Sequence, residues 1–107
     1  MEPVQLQPLE HDASARFRPS PDVVYRRVGD EAVLVPLRKG VGDLDWVHTL
    51  SPVAARVWQL IANEARTTTE IALVICEEYQ VDAQTAEADV ADLLRTLCDA
   101  GLARVAS

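Results

Sequence analysis

The sequence is poor in groups that carry chemistry: two histidines, two cysteines, two tryptophans, two tyrosines and one phenylalanine in 107 residues. Cys76 and Cys98 form neither a CxxC pair nor a zinc-ligand spacing. Both fall in apolar helical patterns, which predicts buried thiols in a reducing compartment, hence a cytoplasmic protein, rather than a disulfide. The helix around Cys98 also carries Glu87, Asp89, Asp92 and Asp99, an unfavourable setting for a thiolate nucleophile. His48 has Asp45 three residues away, but on a strand that offset points the two side chains to opposite faces. Gly40 and Gly42 do not lead into a helix start, so they are no phosphate-binding loop. No apolar run approaches the roughly 20 residues of a membrane span. The first residues, Met1 to Gln5, lack the basic and then apolar segments of a secretory signal. The expectation is a protein that is no enzyme, with no catalytic residue, metal site or cofactor and no place in a membrane.

Positive charge is scarce too, and unevenly so. The net charge is −7. Residues 1–62 hold eight acids and seven bases, whereas residues 63–107 hold nine acids against Arg66, Arg95 and Arg104. The acidic half repels phosphate and attracts basic partners.

What is present is one domain's worth of patterned apolar sequence. Pro3, Pro8, Pro19 and Pro21 interrupt residues 1–22, which read as a flexible N-terminal arm; residues 23–107 read as the folded domain. Val23–Val28 alternates as a strand, Gly29-Asp30 is a two-residue turn with positive φ at Gly29, and Glu31–Leu37 returns. Pro36 lacks an N–H, so fraying is expected near the end of that second strand. Leu44–Leu50 is the third strand by the same alternation.

Helical spacing then takes over. Ser51-Pro52 starts a helix whose stripe is Val53, Val57, Trp58, Leu60 and Ile61. Thr67 to Glu70 is a capping box ahead of Ile71, Ala72, Val74, Ile75 and Tyr79. Asp82 caps a third helix striped by Ala86, Val90, Leu93, Leu94 and Leu97, which Gly101 ends. Leu102–Val105 is a last extended piece. The segregated order predicts an α+β fold, a three-stranded antiparallel sheet followed by three helices.

The second and third helices have helix-turn-helix spacing. A DNA-binding regulator of the winged helix-turn-helix type is therefore the alternative reading. Against it, residues 82–101 carry Asp82, Glu87, Asp89, Asp92 and Asp99 with Arg95 as the one base, and phosphate would be repelled. The third strand, at the sheet edge of a sequential meander, is instead a template for an extended peptide beside the third helix.

Several segments, taken in order, resemble the PqqD-like proteins, the peptide-recognition elements of pathways that modify ribosomally made peptides. Arg18-Pro19-Ser20-Pro21-Asp22-Val23-Val24 is similar to the family's lead-in to its first strand. Leu50, Trp58 and Leu60 match its LN-x-x-G-x-x-I-W-x-L-L segment, although Ser51-Pro52 replaces the usual Asn start and Ala55 the usual Gly. Arg66-Thr67 with Glu70-Ile71-Ala72, then Glu78-Tyr79-Gln80-Val81-Asp82, and finally Asp89-Val90 with Leu93, Leu94, Leu97, Gly101 and Leu102 continue the match. The resemblance covers roughly Phe17 to Val105. It implies a winged helix-turn-helix-like fold without a cofactor. It also implies that the leader segment of a precursor peptide is held along the third strand and third helix and presented to a modifying enzyme, such as a radical S-adenosylmethionine protein. Placed on this sequence, the peptide-binding residues are Asp45, Trp46, Val47, His48 and Thr49 on the strand, chiefly through backbone groups. On the helix they are Glu87, Val90, Ala91, Leu94 and Arg95.

Overall fold

The computed structural model describes residues 14–37 and 47–106. Their elements run β1 (Arg16–Pro19), β2 (Val23–Val28), β3 (Glu31–Pro36), β4 (His48–Leu50), α1 (Pro52–Asn63), β5 (Arg66–Thr67), α2 (Thr68–Tyr79), α3 (Ala83–Asp99) and β6 (Ala103–Ala106). The strands form two antiparallel sheets, ordered β2-β3-β4 and β5-β1-β6. The α+β class, the antiparallel meander and the three following helices are as the pattern requires. No helix among the described residues is long and apolar enough to cross a membrane.

Local signals set the helix ends. Ser51 Oγ accepts from the Ala54 N–H at 3.1 Å, with Pro52 in the first turn. At α2 the capping box is complete: Thr67 Oγ1 accepts from the Glu70 N–H and the Glu70 carboxylate from the Thr67 N–H, each at 3.1 Å. Asp82 accepts from the Thr85 N–H at 3.0 Å. At the far end of α3, Gly101 has φ +78°, Leu102 N–H donates to Leu97 O at 2.9 Å and Gly101 N–H to Cys98 O at 3.0 Å. That pair of bonds is a Schellman closure, and it needs the left-handed backbone that glycine adopts without strain. Gly29, at φ +64°, makes the β2–β3 turn as expected.

Two expectations change, and a third is covered only in part. Arg16–Pro19, assigned from sequence to the arm, is a strand pairing with both β5 and β6; of the arm, residues 1–13 lie outside the described residues. Pro19 does no harm there. Ser20 N–H donates to Leu102 O, and antiparallel alternation then turns the Pro19 nitrogen away from β6, beyond the end of β5. Pro36 does not fray β3 either: it pairs in register with Val23, and Leu37 N–H donates to Asp22 O at 2.7 Å beyond it. Of the expected third strand, β4 comprises His48–Leu50, while Leu44–Trp46 lie outside the described residues.

The core lies where the helices meet the inner sheet face. Leu34, Val57, Ile61, Ile71, Val90, Leu94 and Leu102 are its most completely buried large side chains. Gln59 of α1 donates to the Tyr25 hydroxyl at 3.4 Å, adding a polar link between helix and sheet.

Candidate functional site

β4 is an edge strand: within the described residues it pairs with β3 on one side only. Which backbone groups it leaves unpaired follows from register. The 2.7 Å bond from Leu37 N–H to Asp22 O makes 22/37 a hydrogen-bonded pair, and alternation makes Val24/Val35, Arg26/Val33 and Val28/Glu31 the others. Val33 therefore spends its backbone groups on β2, and Ala32 and Leu34 turn theirs toward Leu50 and His48. Thr49, opposite Val33, is left with its N–H and C=O directed off the sheet, and Val47 has the same parity. Side chains alternate the other way. Leu50 is buried and His48 half-buried on the core side, and Thr49 is exposed.

A cavity of about 240 Å³ lies among the three helices that follow β4. It is lined by Val53 and Val57 of α1, Ile75 and Tyr79 of α2, Val81 in the turn, and Ala86, Asp89, Val90 and Leu93 of α3. Val53 is three residues beyond Leu50, so its Cα lies within about 11 Å of the end of β4. The volume falls below the roughly 300–1,000 Å³ of small-molecule sites and suits one or two side chains. Its lining explains an oddity of the helical stripes. Val53, Tyr79 and Leu93 belong to stripes that pattern as core, yet Tyr79 is 39% exposed and Val53 and Leu93 are only half-buried. Val81, in the turn, is 40% exposed. All four border the cavity.

One wall is braced by charge. Arg56, between Val53 and Val57 on α1, donates from Nε and Nη2 to Glu78 on α2 at 2.8 and 2.7 Å. The fork holds the Glu78 carboxyl below its ordinary range and raises the guanidinium.

The residues named from sequence divide as follows. Asp45 and Trp46 lie outside the described residues. Val47, His48 and Thr49 are at the open edge. On α3, Val90 lines the cavity. Leu94 is 1% exposed and packed in the core. Glu87 accepts from the Thr69 hydroxyl of α2 at 3.0 Å. Arg95 is exposed and pairs with Asp92, while Ala91 is half-buried. The flank chosen on α3 thus has Val90 alone in common with the cavity, whose remaining α3 lining is Ala86, Asp89 and Leu93. Sequence did carry a signal for Leu93, a stripe position that the core leaves half-buried, but none for Asp89, which belongs to no apolar stripe.

Neither cysteine is set up as a nucleophile. Burial pushes the Cys98 thiol up, and the neighbouring Asp99 charge adds to the shift, so it is a poor thiolate. Cys76 is also free and half-buried. The described residues hold no group of three His, Cys, Asp or Glu side chains placed to bind a metal.

An open sheet edge, an apolar cavity among the helices and a helix-turn-helix pair characterise this small α+β domain. The family model for coenzyme PQQ synthesis protein D (PqqD) matches residues 31–103. The chain belongs to the PqqD family. Among solved structures, it is 34% identical to TbiB1, determined in complex with the TbiA(beta) leader peptide, over 84% of this chain and 98% of that one, at a TM-score of 0.68. Lasso peptide synthetase B1, complexed with the leader peptide, is 26% identical over 82% of this chain and 96% of its own, at a TM-score of 0.69. The solution structure of the PqqD truncation of Methylobacterium extorquens PqqCD, a stand-alone recognition element for ribosomally synthesized and post-translationally modified peptides, shares the fold. Its TM-score is 0.68 at 23% identity, over 86% of this chain and 92% of that one. No curated protein matches the chain.

Proposed function

We infer that this protein is a non-catalytic recognition element that captures the leader segment of a ribosomally made precursor peptide and presents it to a modifying enzyme. The observation that carries the reading is the outward-facing backbone of β4 together with a cavity, sized for side chains, whose lining begins at Val53, three residues beyond that strand. Two solved relatives of the same fold, TbiB1 and lasso peptide synthetase B1, are leader-peptide complexes. The leader pairs with Val47–Leu50 as an added strand and sends an apolar side chain into the cavity against α3. Backbone bonds alone, at about 0.5–1.5 kcal/mol each, are too weak to order a flexible peptide, so the cavity must supply much of the affinity. On α3 the contacts are then Asp89, Val90 and Leu93. The chemistry belongs to the partner enzyme; a radical S-adenosylmethionine protein is the class that the family resemblance implies.

The test is an NMR titration of the labelled protein with leader peptides of ribosomally made precursors, beginning with the TbiA(beta) leader that TbiB1 binds. Amide shifts are expected at Val47–Leu50, in the first turn of α1 and along Ala86–Leu93. A bound leader that leaves both β4 and α3 unperturbed would refute this mode.

A further inference from the structure

Asp89 is the one charged residue in the lining of an otherwise largely apolar cavity. It is exposed and occupies the same flank of α3 as Leu93, one turn on. The bases of the helical region that follows β4 are committed elsewhere. Arg56 forks onto Glu78, Arg95 pairs with Asp92, and Arg66 donates to Leu60 O at 3.1 Å. Among the described residues no basic side chain pairs with Asp89. A peptide side chain filling the cavity covers this carboxylate and strips water from it. Removing water from an unpaired charge is unfavourable, and a cation on the incoming chain offsets that loss. An acidic neighbour would be rejected for the same reason, reinforced by the nine acids and three bases of residues 63–107.

We propose that Asp89 makes the cavity selective for peptides whose apolar anchor is flanked, within two residues, by lysine or arginine. The proposal rests on the leader-binding reading above and narrows it to one class of ligand. In an extended peptide, residues two apart share a face at about 6.6 Å spacing. A basic side chain so placed can reach the mouth while the anchor fills the interior.

The experiment selects a displayed library of random twelve-residue peptides on the immobilised full chain, in parallel with Asp89→Asn and Asp89→Lys. Recovered peptides are then titrated singly by fluorescence anisotropy. Wild type should enrich an apolar residue with Lys or Arg within two positions. Replacing that base by Gln in a recovered peptide should weaken binding roughly three- to tenfold on wild type and less than twofold on Asp89→Asn. Asp89→Lys should enrich acids instead, a reversal that a merely structural residue would not produce. Raising the salt should narrow the wild-type preference. Peptides with an apolar anchor but no enriched base, or a basic preference that survives Asp89→Asn, overturn the selectivity and leave the leader reading standing. Failure to recover any peptide that perturbs β4 overturns both.

Discussion

Thr49 faces Val33 across the β3–β4 ladder as a non-hydrogen-bonded pair, so its own N–H and C=O point away from the sheet. His48, one residue earlier, is the opposite case: it lies across from Leu34 and its backbone groups belong to the ladder. Proline at these neighbours should therefore act differently. Thr49→Pro removes a donor that only an added strand uses, and should weaken leader binding with little loss of stability. His48→Pro removes a ladder donor and should cost at least about 1 kcal/mol in urea unfolding. Equal destabilisation by both would contradict the register argument.

Leu93 and Leu94 make a second contrasting pair. Leu94 is buried in the core, so Leu94→Ala should destabilise the fold by about 2–5 kcal/mol. Leu93 is half-buried at the cavity. Leu93→Ala should cost less stability and should weaken peptide binding at a temperature where both variants remain folded. Calorimetric titration beside thermal melts separates the two effects.

Acid should loosen the helix packing through two carboxylates. The Glu78 carboxyl is lowered first by the hydrogen bond from Arg56. Glu70 is lowered first by the Thr67 backbone N–H and then by Arg16, which pairs with it at 2.9 Å. A carboxyl depressed in the folded state contributes stability above its unfolded pKa, about 4.3. That contribution disappears as pH falls through the lower folded value. Glu78→Gln should therefore lower the urea midpoint at pH 6 and converge on wild type near pH 2–3. Because both pairs are substantially exposed, high salt should shrink the gap at pH 6. A gap of constant size from pH 6 to pH 2 would argue against the linkage.

Phe17 tests where the folded body begins. It is a half-buried residue of β1, the middle strand of its sheet, packed against the core. Phe17→Ala should destabilise by about 1–3 kcal/mol, less than a fully buried phenylalanine because part of the ring is already in water. An unchanged melting temperature would place the segment outside the cooperative unit.

Duplex DNA should be bound weakly if at all. The exposed surface of α3 presents Asp82, Glu87, Asp89, Asp92 and Asp99 to any groove it entered, and Arg95 is its one base. A gel-shift titration near physiological salt should show no sequence-dependent retention.

The sequence by itself determined the elements whose causes are local. The Ser51 and Asp82 caps, the Thr67–Glu70 box, the Gly29 turn and the Gly101 stop each act within a few residues, and period-two and helical spacing assigned β2, β3 and the three helices. It also weighed against a phosphate-seeking α3, since charge is read directly. Tertiary structure alone decided three things. It made Arg16–Pro19 a strand, because the partners at 66–67 and 103–106 are remote in sequence and prolines there read as breakers. It chose which flank of α3 borders the cavity. A stripe states that one side of a helix is buried, but not how the helix is rotated against its neighbours, so Leu94 went to the core and Leu93 and Asp89 to the cavity. And it set the parity of β4, since alternation separates two faces while only the register with β3 says whether Thr49 or His48 leaves its backbone free for another chain.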